Sequence, residues 1–515
     1  MYIGDYLGRR EIYSPDTLAI IDAGKDPEIR LTYKQWNRRV NQLANWLKEV
    51  AGIEKGDRVA ILARDGVEHL DTLFACGKLG GIHTALNWRL HWRETASLIE
   101  ETTPKVLIYS DDFIDAVKEI EQATRGTAAE IKFYLHIEGD GMANGIQFEK
   151  AFEDQPETSV SCENLEAEDT ACLLFTGGTT GLPKAAQISH RQICWNVLNT
   201  VIHDVTHEDI YLCVFPLFHT GGLFAYLSSQ IVFGNTTILT RQFEPEQVLE
   251  LIEREKVTVF AGVPTMFQVL TQAENWASSD MSSLRFCTSG GAPLPVHIVE
   301  KFAEEKGIRF KQGFGMTETG PTVFIITKED AVRKMGSVGK PVLHTDVRIM
   351  DPEGRVLGPD QVGELCIRGG NVTTGYWNRP EATAEALVDG WLHSGDAAMF
   401  DDEGFYYIVD RWKDMFISGG ENVYPAEVEN VIYQHPAVAE VAVIGVPHPK
   451  WQEVGWAVVV VKEGHTLTEG EVIAFCTGRL AKYKIPKSAV LIDALPRNAA
   501  GKVLKRDLRG TFGNP

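Results

Sequence analysis

Between residues 56 and 110 the chain alternates strand-like and helix-like apolar patterns, and this alternation restricts the fold more than any other feature. GDRVAILA (56–63) reads as a buried strand, VEHLDTLFACGKLG (67–80) as a helix, and KVLIYS (105–110) as a second strand. Strands separated by helices of this length pair in parallel, so an α/β fold with a largely parallel sheet is expected. Just upstream, Thr32 and Gln35 form a T-x-x-Q capping box, and Trp36, Val40, Leu43 and Leu47 follow at helical spacing. That pattern predicts a helix running to about Val50.

At 515 residues the chain exceeds one ordinary core and suits two or three domains, since single cores rarely grow past about 250–300 residues. After about Asp410 the character changes to short charged helices and hairpin strands such as VAEVAVIGV (438–446) and GWAVVVVKEG (455–464). A large N-terminal region followed by a small α+β domain is the expected organisation, without internal repeats.

Lys and Arg number 50 against 71 Asp and Glu, a formal charge of −21, and no basic block offsets it. Phosphate backbones and anionic membranes need clustered cations, so the charge argues against nucleic acid or an anionic membrane surface as partner. The eight cysteines are scattered without a CxxC pair or a Cys/His cluster at zinc-ligand spacing. Together with an N-terminus that lacks an apolar h-region, they read as reduced thiols of a cytoplasmic protein. Leu212 to Leu239 contains no Asp, Glu, Lys or Arg, but Pro216, Gly221, Gly222, Gly234 and Asn235 within it suit a buried, turn-rich segment better than a membrane span.

The strand TACLLF (170–175) runs directly into Thr176-Gly177-Gly178-Thr179-Thr180-Gly181-Leu182-Pro183-Lys184. Three glycines allow several backbone N–H groups to converge, three threonines add hydroxyls, and Lys184 adds a mobile charge, which together can form an anion nest. The spacing is not that of a Walker loop. Read from the residues alone, the loop is either a tight turn or a phosphate cradle.

The loop resembles the phosphate-binding signature of the adenylate-forming superfamily, which contains acyl-CoA synthetases, peptide-synthetase adenylation domains and firefly luciferases. Gly177 stands where that family usually has Ser, and Ala185 where it usually has Gly. Further segments follow in the family's order, over roughly residues 15 to 510. SGGAPLP (289–295), with Gly290, Gly291, Ala292 and Pro293, resembles the turn that packs on adenine. QGFGMTETG (312–320) resembles the segment that contacts adenine and the α-phosphate; it contains Gly313, Phe314 in place of a frequent Tyr, Gly315, Thr317 and Glu318. GELCIRGGNVTTGYWNRPE (363–381) and GWLHSGDAAMFDDEGF (390–405) match the next two blocks, the second containing Asp396. DRWKDMFISGGENVYPAEVE (410–429) contains Arg411, and LPRNAAGKVLKR (495–506) carries Lys502.

The resemblance implies an ATP-dependent acid–thiol ligase that converts a carboxylic acid to an acyl-adenylate with release of pyrophosphate, then transfers the acyl group to coenzyme A. It implies a large multi-subdomain N-terminal region of mixed, mostly parallel sheets (1–411) and a small mobile α+β C-terminal domain (412–515) turning on a hinge at Lys413. Residues 176–184 would bind the phosphates, Glu318 with Thr176 would hold Mg²⁺, Asp396 and Arg411 the ribose, and Lys502 would be the catalytic lysine. Gly419 and Gly420, beside Glu421, would leave a slot for the pantetheine arm, with Lys482 and Lys484 near the CoA phosphates. His219 would stand between acid pocket and thiol tunnel.

FPLFHTGGLFAYL (215–227) has no acidic residue to pair an amino-acid substrate, and Gly315 occupies the position where acetate-activating relatives carry a Trp. Gly221, Gly222, Gly313 and Gly315 would permit a long slot, so a medium- or long-chain fatty acid is expected, with an aryl acid of benzoate or cinnamate type as the alternative. Rival readings are a ligase that loads a carrier protein, a luciferase-like oxygenase and a catalytically silent CoA or AMP sensor; intact Lys502, Glu318 and Arg411 argue against the last. A homodimer or monomer is expected.

Overall fold

The computed structural model describes residues 2–176, 183–291, 294–412, 414–418, 421–497 and 502–513. They divide into two compact units, one built from the chain up to Thr176, Pro183–Asp346 and Arg368–Gly390, the other from Val347–Ile367 and the chain from Trp391 onward.

The first unit contains two large sheets. The seven-stranded sheet runs Gly145–Gln147, Phe133–His136, Val106–Tyr109, Arg58–Leu62, Ile82–Ala85, Thr170–Thr176 and Lys184–Ser189. All of its pairings are parallel except the last, between Thr170–Thr176 and Lys184–Ser189. The expected strands at 56–63 and 105–110 are its centre, and Val106–Tyr109 is buried at every position, as a parallel strand covered on both faces must be. Helix Val67–Leu79 joins two of these strands, and helix Tyr33–Glu49 begins with the full Thr32–Gln35 capping box.

The nine-stranded sheet runs Lys340–Pro341, Thr322–Ile326, Phe310–Gly315, Phe286–Gly290, Val259–Gly262, Ile210–Cys213, Thr236–Leu239, Leu18–Asp22 and Ile29–Thr32. Its central strands are parallel and in register, with Gly262 opposite Ser289, and Ser289 opposite Gln312. The charge-free stretch 212–239 resolves into the end of one strand, a π-helical turn Gly221–Ala225, the short helix Leu227–Phe233 and the strand Thr236–Leu239. Among the described residues no helix is long and apolar enough to cross a membrane.

The second unit holds the antiparallel strands Gly363–Gly369, Trp391–Phe400 and Tyr406–Arg411. It also holds a sheet in which Gln452–Val461 pairs with Val438–His448 along one edge and, along the other, with Phe416–Ser418 and, in parallel, with Ser488–Leu491. Helices Pro425–Tyr433, Glu469–Cys476 and Lys505–Phe512 accompany this sheet, and Val428, Ile432, Val443, Ala457, Val459 and Val472 share its core. The α+β character read from the hairpin pattern is therefore present.

Close backbone packing fixes the N-terminal segment in the first unit. A Cβ on Gly4 would lie 2.5 Å from the backbone carbon of Gly77, inside helix Val67–Leu79, so the two chains touch with no room for a methyl group. Gly4→Ala is expected to destabilise the protein by about 1–3 kcal/mol, read as a lower denaturant midpoint at unchanged slope; a midpoint equal to wild type would mean that the segment yields without strain.

Candidate active site

Parallel strands that stop together place their following loops along one edge, and ligands of α/β sheets gather there. Four strands of the nine-stranded sheet do this. Ile210–Cys213 leads to His219, Val259–Gly262 ends opposite Ser289, Phe286–Gly290 ends at Gly290 and Gly291, and Phe310–Gly315 carries Gly313, Phe314 and Gly315. Gly290 and Gly313 are direct cross-strand neighbours, so two segments 23 residues apart in sequence become one surface. Gly291 has φ +82°, which only glycine adopts without strain. Ala292 and Pro293 lie outside the described residues.

The glycines of this edge divide into two kinds. A Cβ on Gly221, Gly290 or Gly313 would meet its nearest neighbours at 3.5 Å or more, an ordinary contact, so a methyl group would fit at these positions without displacing anything. A Cβ on Gly315 would lie 1.5 Å from the carbonyl oxygen of Pro321, and one on Gly222 would lie 2.4 Å from that of Pro216. At these two positions glycine is required by the approach of backbone, and the expected contribution of Gly222 and Gly315 to a long slot does not hold.

His219 begins the tight turn that Gly222 completes, with its carbonyl accepting from the N–H groups of Gly222 and Leu223. Its ring lies 4.5 Å from that of Phe218. Burial pushes its imidazole down to about 4, and the charge of Arg89 acts in the same direction, so the ring is neutral near pH 7. Phe314 packs its ring 5.9 Å from Phe324 on the adjacent strand.

Thr317 and Glu318 form a single 3₁₀ turn, Thr317–Thr319, after the strand. The turn is clamped from two sides. Gln192 donates its side-chain amide to the carbonyls of Thr317 and Glu318 at 3.4 and 3.3 Å, and the Thr373 N–H donates to the Glu318 carbonyl at 2.7 Å. The Glu318 carboxylate is buried and accepts the Tyr376 hydroxyl at 2.8 Å. Among the described residues no cationic side chain forms an ion pair with it.

Tyr376 also lies beside Lys184, whose ammonium is 5.1 Å from the centre of its ring. This proximity follows from backbone pairing. Residues 375–377 run along strand Lys184–Ser189, with Gly375 accepting from Gln187, Trp377 donating to Ala185, and Ala186 bridged to Tyr376. Lys184 is in turn the cross-strand partner of Thr176, whose hydroxyl donates to the Lys184 carbonyl at 3.4 Å. Thr176, Lys184, Tyr376 and Glu318 thus form one connected series. Gly177, Gly178, Thr179, Thr180, Gly181 and Leu182 lie outside the described residues. Tyr376 and Gln192 were not singled out in the sequence; Tyr376 lies in a block that was, but nothing in its spacing announces a partner 58 residues away.

In the second unit Asp396 and Arg411 are register partners on neighbouring antiparallel strands. The buried Asp396 carboxylate receives the Arg411 guanidinium at 3.1 Å, while Arg411 remains part-exposed. The Ser394 hydroxyl accepts from the Asp396 N–H, and the Trp412 N–H donates to the Gly395 carbonyl, which ties the two strands beside the pair. Asp410 accepts from the N–H of Ala426 at the start of helix Pro425–Tyr433.

Lys502 immediately precedes Val503, which is bridged to Arg497. Its side chain reaches solvent, yet its ammonium is held below its ordinary value, first by desolvation and then by the charge of Arg411, against the opposing pull of Asp396 and Asp414. Lys413, Gly419 and Gly420 lie outside the described residues. Lys484 pairs with both oxygens of Glu427 at 2.7 Å, so its charge is already matched.

The chain matches known proteins over nearly its whole length. The model of AMP-binding enzymes matches residues 10–377, and that of the AMP-binding enzyme C-terminal domain matches 427–502. The chain is 40% identical to a feruloyl-CoA synthase of Amycolatopsis sp over 514 residues, covering 99% of each. It is 36% identical to an indoleacetate–CoA ligase of Aromatoleum aromaticum and 36% identical to the long-chain-fatty-acid–CoA ligase FadD13 of Mycobacterium tuberculosis, in both cases over 99% of this chain and 98% of the relative. The solved o-succinylbenzoate CoA synthetase of Bacillus subtilis, in complex with its acyl-adenylate intermediate, superposes with a TM-score of 0.85 at 31% identity and 98% coverage of each chain. Matches of this length and identity identify the chain as a member of the AMP-binding enzyme family, within the adenylate-forming superfamily, and as an AMP-forming acid–thiol ligase.

Proposed function

We propose that this ligase activates an aromatic carboxylic acid of the arylacrylate class, using ATP and Mg²⁺, and transfers the acyl group to coenzyme A. The observation that carries the aromatic reading is the filling of Gly222 and Gly315 by backbone. A long aliphatic slot would need the volume at all four glycines, whereas backbone fills it at Gly222 and Gly315, which suits a shorter, planar acid. The feruloyl-CoA synthase and indoleacetate–CoA ligase relatives support the same choice over a fatty chain, although the fatty-acid relative FadD13 is as similar as the second of them.

Adenylation brings a carboxylate against a phosphate, and two unit charges about 4 Å apart repel by roughly 4 kcal/mol at an effective dielectric near 20. Cations placed before the reaction offset this. Glu318 fits a hard divalent ion: it is a buried carboxylate steadied by one phenol, with no cationic side chain among the described residues to neutralise it. Thr176 would add a hydroxyl oxygen. Mg²⁺, when bound, supplies charge neutralisation at the phosphates.

This chain's own groups account for the rest of the proposed chemistry. Lys184, held against Tyr376, offers a cation to the departing pyrophosphate. Gly290, Gly291, Gly313 and Phe314 present a flat surface for adenine, Asp396 accepts the ribose hydroxyls, and Arg411 orients Asp396. Lys502 donates to the carboxylate and the α-phosphate oxygens, offsetting their repulsion as the carboxylate attacks phosphorus and pyrophosphate leaves with the electron pair. His219, neutral near pH 7, borders the acid without adding charge to it. Transfer to the thiol then requires Lys502 to withdraw, which we assign to rotation of residues 412–515 about Lys413.

Lys502→Ala is expected to slow adenylation on the order of 100-fold or more while capture of supplied acyl-adenylate by CoA survives; equal losses in both half-reactions would give the lysine another role. Hydrogen bonds to charged groups contribute about 1.5–3 kcal/mol, so Tyr376→Phe is expected to raise the Mg²⁺ concentration for half-maximal adenylation about tenfold or more. An unchanged Mg²⁺ titration would separate Glu318 from the metal. In a panel of acids assayed for ATP- and CoA-dependent thioester formation, cinnamate-type acids are expected to exceed dodecanoate and hexadecanoate in kcat/KM by about tenfold or more. The reverse order would return the substrate to the fatty class.

A further inference from the structure

Cys366 and His393 are 27 residues apart and show no metal-ligand spacing in the sequence, yet the fold sets them directly opposite each other on the antiparallel strands Gly363–Gly369 and Trp391–Phe400. Glu364 lies two residues before Cys366 and therefore on the same face of its strand. The register shifts between Glu364 and Cys366, so that Glu364 faces Ala397 while Cys366 faces His393, and the extra residues of the opposite strand bulge out at Ser394–Asp396. That bulge brings Glu364 to the His393 ring.

The three side chains converge. His393 Nδ1 is 2.8 Å from Glu364 Oε2 and 3.6 Å from Cys366 Sγ, and the three candidate ligand atoms all lie within 4.8 Å of one another. Zinc bonds of about 2.3 Å to sulfur and about 2.0–2.2 Å to nitrogen and oxygen place tetrahedral ligand atoms roughly 3.2–3.6 Å apart. The cluster is therefore within a small side-chain adjustment of that geometry. Thiolate and imidazole select zinc-class ions over Mg²⁺, which distinguishes this cluster from the all-oxygen site proposed at Glu318.

Two further features suit a metal. Glu364 Oε1 accepts the Gly395 N–H at 3.1 Å, which fixes the carboxylate and leaves Oε2 directed at the cluster, the outer-shell support that metal ligands commonly have. Cys366 is buried, while the Glu364 and His393 side chains are 19% and 27% exposed, so the cluster is covered on the sulfur side and open to water where an ion would enter and keep a fourth ligand.

We propose that Glu364, Cys366 and His393 form a zinc-class metal site, separate from the adenylation chemistry. Binding would take His393 through Nδ1, with its proton on Nε2, and Cys366 as the thiolate, its proton passing to solvent; the hydrogen bond between His393 and Glu364 is exchanged for two bonds to the ion.

The test uses the full-length reduced enzyme, stripped with a chelator and titrated with Co²⁺ alone. A thiolate-to-cobalt charge-transfer band in the near ultraviolet should appear at one equivalent and be displaced by Zn²⁺. Cys366→Ser should abolish the band while the melting temperature and the metal-free ligase rate stay at wild-type values. His393→Gln, which keeps the thiol, should weaken Co²⁺ binding by about 100-fold or more. Absence of the band in the wild-type enzyme, or its survival at full intensity in either variant, would overturn the site and leave the cluster as a histidine–carboxylate hydrogen bond beside a buried thiol. Neither result bears on the aromatic-acid reading.

Discussion

The parallel register of the central nine-stranded sheet is the constraint from which the candidate site of the first unit follows. Gly262, Ser289 and Gln312 lie side by side because three parallel strands pair in register near their C-terminal ends. Once they do, the loops beyond them have to share one edge, and His219, Gly290, Gly313 and Glu318 come together though they span 100 residues. The edge is stable independently of any ligand, since the strands behind it are held by Phe260, Cys287 and Phe310, all in one buried cluster. Function thus rests on a rigid scaffold, with the polar groups confined to its rim.

That rim is polarised by backbone as much as by side chains. The turn bearing Glu318 has its carbonyls capped by Gln192 and Thr373, so its backbone is satisfied from within and the carboxylate is the group left to act. A buried carboxylate with one neutral donor keeps most of its charge uncompensated, which is costly unless a cation arrives. The Asp396–Arg411 pair solves the same problem differently. There a guanidinium compensates the buried carboxylate within the fold. One carboxylate carries a neutral partner and the other a cationic one, which accords with the metal and ribose roles proposed for them.

Much of this was legible in the sequence, and unevenly so. Strands Arg58–Leu62 and Val106–Tyr109, helix Tyr33–Glu49 with its capping box, and the C-terminal hairpin all follow from local pattern, where periodicity and capping act within a few residues. Motif order singled out Thr176, Lys184, Glu318, Asp396, Arg411 and Lys502 as candidates, because each lies in a short segment with its own pattern. What was not legible depends on pairing between distant strands. Tyr376 reaches Glu318 only because residues 375–377 lie along strand Lys184–Ser189, and Cys366 meets His393 only through a bulged antiparallel register. Neither has a signature at fixed spacing.

The glycines show the same limit from the opposite direction. A glycine in a sequence means absent side-chain volume, and it is natural to read that absence as room for a ligand. Whether the room exists depends on what approaches the missing Cβ. At Gly313 a Cβ would meet only ordinary contacts; at Gly315, two residues on, the carbonyl of Pro321 already occupies the position. Hairpin closure between Phe310–Gly315 and Thr322–Ile326 forces that approach, so Gly315 serves the fold of the hairpin. The size of an acyl pocket in this family therefore cannot be counted from its glycines. It is set by which of them face open space, and that is a property of strand pairing.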